Sequence, residues 1–136
     1  YMSRLNAITC AISLLLVASA QQVVQGAIRF VKQGATGSGT SWADASGDLQ
    51  AMINASSSLG TDEVWVAAGS YKPGTARTST FSLKSGVKVY GGFVGTETSL
   101  GQRDFANNVT ILSGDIGEEN DPSDNCYHVV TATGVL

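Results

Sequence analysis

The stretch Gly86–Gly95, GVKVYGGFVG, is the part of the sequence from which the fold is most directly predicted. Val87 and Val89 alternate with a lysine and a tyrosine, which is the period-two pattern of a half-buried β-strand. The glycines that follow, Gly91 and Gly92, indicate a tight bend. Similar strand-and-turn units occur before and after this stretch, so we interpret it as one rung of a stacked sheet.

The spacing of the apolar strand centres suggests a repeat. Val66 and Val89 are 23 residues apart, as are Val89 and Leu112, and Val130 follows Leu112 after 18. A repeat near 20 residues with glycine-containing turns is typical of a solenoid in which each coil pairs with its neighbours. The predicted fold class is therefore all-β, a parallel β-helix, with a β-sandwich of short strands as the alternative. The other predicted strands are Ala27–Lys32, Asp62–Gly69, Thr80–Leu83, Val109–Gly114 and Tyr127–Thr131.

A short α-helix is predicted between the first two strands. Ser41 fits an N-cap with Asp44 three residues on, and apolar residues recur at helical spacing up to Ala55. Gly47 weakens the middle of this segment, so the start of the helix can also lie nearer Ser46. We expect this helix to cap the amino-terminal end of the coils.

The amino terminus has the order of an export signal. Arg4 supplies a positive charge, Ile12–Val17 an apolar run, and Ala18–Ala20 a small-residue cleavage site. Residues 1–20 are predicted to be a helical signal peptide, with cleavage near Gly26 as the alternative. The apolar run is too short to span a bilayer, so we expect no transmembrane helix in the mature chain. The predicted location is extracellular, or associated with the cell surface or outer membrane.

Composition restricts the classes of partner. The chain has eight Lys and Arg against eleven Asp and Glu, without the basic stripe of a nucleic-acid binder, so we expect no nucleic-acid partner. With 43% apolar and 14% charged residues, a folded domain is expected. Removal of the signal peptide leaves Cys126 as the remaining cysteine, which precludes an intramolecular disulfide.

Several segments together resemble a known family. They are Gly39–Ala45, Val64–Pro73, Val89–Thr98, Gln102–Asp104, Leu112–Ile116 and Asn125–Val130. These segments resemble the amino-terminal region of bacterial secreted right-handed parallel β-helix proteins of the pectate-lyase-like superfamily. The similarity is greatest to surface proteins described as polymorphic-outer-membrane-protein-like or as carrying a choice-of-anchor domain.

The resemblance implies that residues 27–136 are the first coils of a longer β-helix. Leu136 follows a strand and a glycine turn, and a solenoid needs a cap at each end. The expected partner of this end is therefore the rest of the same β-helix beyond residue 136. The resemblance also implies an adhesin-like surface protein, of which this sequence is a fragment.

An acidic loop lies between the last two predicted strands. Its carboxylates include Asp115, Glu118, Asp121 and Asp124, and oxygen ligands clustered in a loop are what calcium requires. We predict these four residues as candidate calcium ligands, although acidic loops are most often simply solvated. No other cofactor is predicted.

Two aromatic residues occupy outward positions on successive predicted rungs. Trp65 and Tyr90 could stack on sugar rings, and covering by a loop or helix is the competing interpretation. His128 is the single histidine, so the sequence gives little support for a Ser–His–Asp triad.

The sequence leaves three functions open. The first is a secreted or cell-surface β-helix scaffold with an adhesive or structural role, or one that contacts carbohydrate or a host or matrix surface. The second is the amino-terminal part of a polysaccharide lyase or glycoside hydrolase whose catalytic coils lie beyond residue 136. The third is a small binding module complete as it stands. No catalytic constellation is recognisable in the sequence, so enzyme activity is left open and no catalytic residue is predicted.

Overall fold

The computed structural model describes residues 25–135, and the predicted signal peptide at residues 1–20 lies outside them. Seven short strands and one α-helix form in this part of the chain. In chain order they are β1 (Ile28–Val31), α1 (Leu49–Ala55), β2 (Glu63–Ala67), β3 (Gly69–Tyr71), β4 (Phe81–Ser82), β5 (Lys88–Phe93), β6 (Thr110–Leu112) and β7 (Val130–Thr131). A 3-10 turn at Leu100–Gln102 lies between β5 and β6.

The strands form three small parallel sheets. Their orders are β1-β2-β5, β3-β6 and β4-β7. No solenoid forms among residues 25–135, because each sheet has only two or three strands and the strands are two to six residues long. With α1 packed against them, the fold is mixed α/β. The predicted all-β fold, a right-handed parallel β-helix with a capping helix, is therefore wrong.

The register of the strands gives the physical reason for this correction. The pairing offset is 35 residues between β1 and β2 (28 to 63) and 25 between β2 and β5 (64 to 89). It is 41 between β3 and β6 (69 to 110) and 49 between β4 and β7 (81 to 130). These unequal offsets do not correspond to one repeat near 20 residues. The regular spacing of apolar residues in the sequence does not report which strands pair.

The side-chain positions do not form the stacked columns that a regular repeat would produce. Val64 lies opposite Arg29 on one side and Val89 on the other. Ile111 belongs to a different sheet, opposite Ser70, and is 51% exposed. A β-sandwich is not seen either, because the four strand pairs in the described part of the chain are all parallel.

The hydrophobic core lies on one side of β2. As the alternation in the sequence predicts, Val64 and Val66 point into the core while Trp65 lies on the other face. The buried core residues are Val31, Leu49, Met52, Ile53, Val64, Val66, Tyr71 and Phe81. Burial of each large apolar side chain contributes about 1.5–3 kcal/mol, so α1 is held mainly by this contact.

Helix α1 is shorter than predicted. Its N-cap is Asp48, whose side chain accepts a hydrogen bond from the backbone N–H of Ala51 at 2.9 Å. The prediction of an N-cap at Ser41 is wrong, because the Ser41 hydroxyl instead accepts the N–H of Asp44 within a turn. Among the described residues, no helix has the length and apolar character needed to cross a membrane.

Residues 37–46, here called the covering segment, explain why the helix starts late. The N–H of Phe30 donates to the carbonyl of Gly39, and the N–H of Ser46 donates to the carbonyl of Phe30, both at 2.9 Å. Lys32 donates to the carbonyl of Ser46 at the same distance. Because these backbone groups are bonded to β1, they are not free to form helical hydrogen bonds.

Candidate functional sites: an aromatic face and an acidic loop

The outer face of the sheet β1-β2-β5 carries a group of aromatic rings, here called the aromatic face. Its members are Phe30, Trp42, Trp65, Tyr90 and Phe93. In the register of the sheet, Trp65 lies between Phe30 and Tyr90. The ring centroids of Phe30 and Trp65 are 5.8 Å apart in an edge-to-face arrangement, a favourable geometry for aromatic pairs.

Trp65 lies inside this group. It is 3% exposed, and its ring stacks on Phe93 with centroids 4.7 Å apart and planes 10° apart. Its Nε1–H donates to the Glu63 carboxylate at 2.8 Å. A sugar ring could reach the face of Trp65 only if Phe93 moved, so Tyr90 is the more accessible of the two predicted contact residues.

Tyr90 lies at the margin of the aromatic face and is half-buried. The guanidinium carbon of Arg103 is 4.9 Å from the centroid of its ring. The Nε–H of Arg103 donates to the carbonyl of Leu100 at 3.2 Å, which holds the side chain in place. Because the guanidinium lies over the ring, a sugar would contact the part of the Tyr90 ring that is left exposed and accept hydrogen bonds from the guanidinium N–H groups.

Trp42 extends the aromatic face to an open groove of about 540 Å³. Its ring centroid is 4.9 Å from that of Phe30, and its Nε1–H donates to the carbonyl of Glu97 at 2.9 Å. The groove is also lined by Lys32 and Asp44. Sequence reasoning missed Trp42 because it assigned this residue to the apolar stripe of a longer helix.

The Asp44 carboxylate lines this groove and gives it a negative charge. The hydroxyl groups of Ser38 and Thr40 both donate to its carboxylate, the latter at 3.0 Å. The hydrogen bond from Ser38, followed by that from Thr40, lowers the pKa of the Asp44 carboxyl below its usual value. Asp44 therefore remains an ionised acceptor at neutral pH.

Glu97 holds the loop below Trp42. Its carboxylate is buried and accepts the backbone N–H groups of Val94 at 2.6 Å and of Gly95 and Thr96 at 2.9 Å. Burial raises the pKa of this carboxyl, but the backbone hydrogen bonds outweigh burial, so the pKa lies below its usual value. Sequence reasoning did not single out Glu97, since a lone glutamate in a polar loop gives no such signal.

The acidic loop, residues 115–125, connects β6 to β7 and is held by its own carboxylates. Asp124 Oδ2 accepts the backbone N–H of Glu118 at 2.8 Å. Asp115 Oδ2 accepts the N–H of Asn120 at 3.0 Å. Each of these carboxylates therefore uses one oxygen to fold the loop.

The other two predicted calcium ligands behave differently. Asp121 accepts hydrogen bonds from Ser123, the backbone one at 2.8 Å, and these bonds lower its pKa. The side chain of Glu118 is exposed. Within residues 25–135, no group of three or more His, Cys, Asp or Glu side chains is placed to hold a metal ion. The four-carboxylate ligand set stays a prediction.

Three oxygen atoms of the acidic loop lack partners. Asp115 Oδ1, Asp124 Oδ1 and Asn125 Oδ1 each expose less than 1 Å² and have no hydrogen-bond donor among the described residues. Buried polar atoms are usually hydrogen-bonded, so each exception needs an explanation. Sequence reasoning did not include Asn125 among the candidate ligands.

His128 and Cys126 follow the loop. His128 is exposed, and the thiol of Cys126 is free and half-buried. A β-carbon placed on Gly114 would lie 2.9 Å from the Cys126 sulfur, so this thiol fills space against the backbone.

Comparison of the chain with family models, with curated proteins and with solved structures found no match. The resemblance to secreted pectate-lyase-like surface proteins therefore stays a prediction.

Proposed function

We propose that this protein is an exported protein of the extracellular space or cell surface that contacts polysaccharide through its aromatic face. The order of charge, apolar run and small residues at the amino terminus supports export. The adhesive or structural role predicted from the sequence is compatible with such a contact on a host or matrix surface.

The observation that carries the proposal is the pairing of Tyr90 with Arg103. The exposed part of the ring gives an apolar contact for a sugar, and the guanidinium over the ring gives several directed donors. The half-buried Trp42 and the ionised Asp44 lie on the adjoining groove and add a second ring and an acceptor for hydroxyl groups. A neutral saccharide can contact an aromatic ring, accept hydrogen bonds from a guanidinium and donate hydrogen bonds to a carboxylate.

Binding to a panel of soluble polysaccharides, measured by calorimetry with wild-type protein and Tyr90→Ala, tests the proposal. Loss of the stacking contact should weaken binding about three- to tenfold, given the usual worth of an aromatic contact. Tyr127→Ala is the matched control, because Tyr127 is 62% exposed and also lies beside an arginine, Arg77, at 4.5 Å. The control should bind as tightly as wild type.

Equal affinities for the two tyrosine variants would contradict the assignment of the aromatic face. No binding by wild type to any polysaccharide would contradict the proposed function as a whole. The alternative, that the chain is part of a polysaccharide lyase or glycoside hydrolase, is checked on the same panel by ultraviolet absorbance of unsaturated uronate products and by release of reducing ends.

A further inference from the structure

We propose that the uncovered edge of β6 binds an extended polypeptide segment of another protein, with basic residues at its ends, which pairs with β6 as an added strand. In this mode of recognition the main-chain hydrogen bonds provide the affinity and the side chains provide the specificity. The proposal goes beyond polysaccharide binding and does not depend on it, because β6 (Thr110–Leu112) contributes no member of the aromatic face.

The first strand of each sheet has its outer edge covered by groups of the chain itself. The covering segment is hydrogen-bonded to β1. The side-chain oxygen of Gln33 accepts the backbone N–H of Ser70 in β3 at 3.2 Å. Gln50 pairs with Ser82 in β4 as a neighbouring strand would, because its Oε1 accepts the N–H of Ser82 at 2.7 Å and its Nε2 donates to the carbonyl at 3.1 Å. These contacts occupy the edges of β1, β3 and β4.

Among the described residues, β6 has no such cover. It pairs with β3 on one side, and this pairing continues to Ser113, whose N–H donates to the carbonyl of Tyr71 at 2.8 Å. Because the main-chain groups of successive residues in a strand point in opposite directions, those of Thr110 and Leu112 are directed away from β3. The edge therefore offers donors and acceptors to a further strand.

The side chains beside this edge are apolar on both faces of the sheet. Val109 and Ile111 are each 51% exposed. Leu112, on the opposite face, packs against the core but is only half-buried. An added strand of β-branched residues would contact these side chains on its two faces, and such cross-strand contacts stabilise a strand pair.

The charge near the edge favours a basic partner. The acidic loop starts three residues after the end of β6, and no Lys or Arg lies in the loop or after it. Its carboxylates belong to Asp115, Glu118, Glu119, Asp121 and Asp124. Arg77 reaches the loop, but its Nε–H donates to the backbone carbonyl of Asn125 at 3.0 Å. The field of this loop attracts a segment with basic ends and repels one with acidic ends.

The same charge disfavours a second copy of this chain as the occupant. β6 has three residues, so it is about 10 Å long at about 3.3 Å per residue. A copy paired through the same edge would bring its own acidic loop to about that distance, where like charges are only partly screened in about 0.1 M salt. Self-association through this edge should therefore be weak, whereas a basic segment meets no such repulsion.

Fluorescence polarisation of dye-labelled peptides mixed with the full chain tests the proposal. The first probe is a capped peptide with a core of alternating valine and threonine and two lysines at each end, about eight residues in all. We expect it to bind, and the same peptide with glutamates in place of the lysines should bind about tenfold more weakly or not at all. A third version, the lysine peptide with every backbone nitrogen methylated, has lost its N–H donors and should not bind.

A matched pair of variants tests the location. Ile111→Lys and Leu59→Lys add the same charge, but only the first changes the edge, since Leu59 is 80% exposed in a turn. Ile111→Lys should weaken binding of the lysine peptide about two- to fivefold, given the usual worth of a cross-strand contact. Leu59→Lys should keep the wild-type affinity.

A double variant tests the role of charge. Glu118 and Glu119 are exposed, and Glu118→Gln/Glu119→Gln should weaken binding of the lysine peptide about two- to tenfold. This loss should become smaller as salt is raised, because salt screens exposed charges. Circular dichroism checks that each variant is folded.

Absence of binding of the lysine peptide to wild type up to about 1 mM, the limit of weak specific contacts, would overturn the proposal. Equal affinity for the methylated peptide would show attraction by charge without strand pairing, and equal affinity for the glutamate peptide would contradict the basic partner. Self-association of wild type that is tighter than peptide binding, measured by sedimentation, would assign the edge to a second copy instead.

Discussion

The two ends of the described fold differ in how their backbone and side chains are satisfied. At the first end, which we call the closed end, the covering segment bonds to the outer edge of β1, and Val31 and Ala45 are at most 2% exposed. At the other, the open end, β6 and β7 each pair with one strand in the described residues. Val109 and Ile111 there are each 51% exposed.

This difference identifies the end of the fold at which the strand edge is covered by residues of the described chain. The closed end uses its own residues to cover a strand edge, which is how proteins avoid edge-to-edge pairing. The open end combines apolar side chains on an uncovered edge with the unpartnered oxygens of the acidic loop. Its uncovered edge is therefore available to pair with another strand.

The largest expected difference between the ends is in the loss of unfolding free energy when an isoleucine is replaced by alanine. Ile53 is 1% exposed in the core, and Ile53→Ala should lower the free energy of unfolding by about 2–5 kcal/mol. Ile111→Ala removes the same atoms at the open end and should cost less than about 1 kcal/mol. Urea denaturation of both variants measures the contrast. Similar losses would show that the open end is packed as tightly as the closed end.

A smaller effect is expected from the loop anchor beside Trp42. Glu97→Gln replaces one of the carboxylate oxygens that accept backbone N–H groups with an amide donor, and should lower the free energy of unfolding by about 1.5–3 kcal/mol. Glu119→Gln, in the exposed part of the acidic loop, is the control and should change it by less than about 0.5 kcal/mol. Thermal unfolding of both variants at neutral pH provides the measurement.

The same carboxylate predicts how stability changes in acid. Because the pKa of folded Glu97 lies below its ordinary value of 4.5, the unfolded state binds more protons in this range. The stability contributed by Glu97 is complete above pH 4.5 and is lost as the pH falls through the lower folded pKa. Wild type should therefore lose more stability than Glu97→Gln between pH 5 and pH 2, and parallel losses would contradict this account.

The smallest effect on stability, and the most specific one, is expected at the uncovered edge. Ile111→Lys should leave the free energy of unfolding within about 0.5 kcal/mol while reducing self-association, because charged edge residues oppose strand pairing. Leu59→Lys is the matched control, since Leu59 is 80% exposed in a turn away from the strands. Sedimentation velocity at several concentrations would show whether the edge variant alone reduces association.

The sequence predicted the strands better than their pairing. The patterns at Val64–Val66 and Lys88–Tyr90 are confirmed as parts of β2 and β5, and Val87 directly precedes β5. Strand β3 was missed because Gly69–Tyr71 resembles the approach to a turn, and Gly69 has a φ of +146°. Pairing depends on where the chain turns in three dimensions, and apolar periodicity along the chain does not record it.

The candidate sites show the same limit: the sequence indicates residue types but not the tertiary contacts that bring them together. Tyr90 and the acidic loop could be picked out by residue type, but Trp42 is brought to the aromatic face by the covering segment, whose part from Ser41 onward is predicted from the sequence to be helix. A sequence pattern likewise does not encode that the amide oxygen of Asn125 is left without a donor. Residue types suggest the chemistry, and tertiary contacts choose which residues perform it.

Amide hydrogen exchange of the wild-type chain tests the central contrast between the two ends most directly. We predict faster exchange at Glu118, Asn120 and Cys126, whose N–H groups bond within the open end or its loop. Exchange at Phe30 and Lys32, whose N–H groups are bonded to the covering segment, should be slow. Equal exchange rates at the two ends would contradict the account.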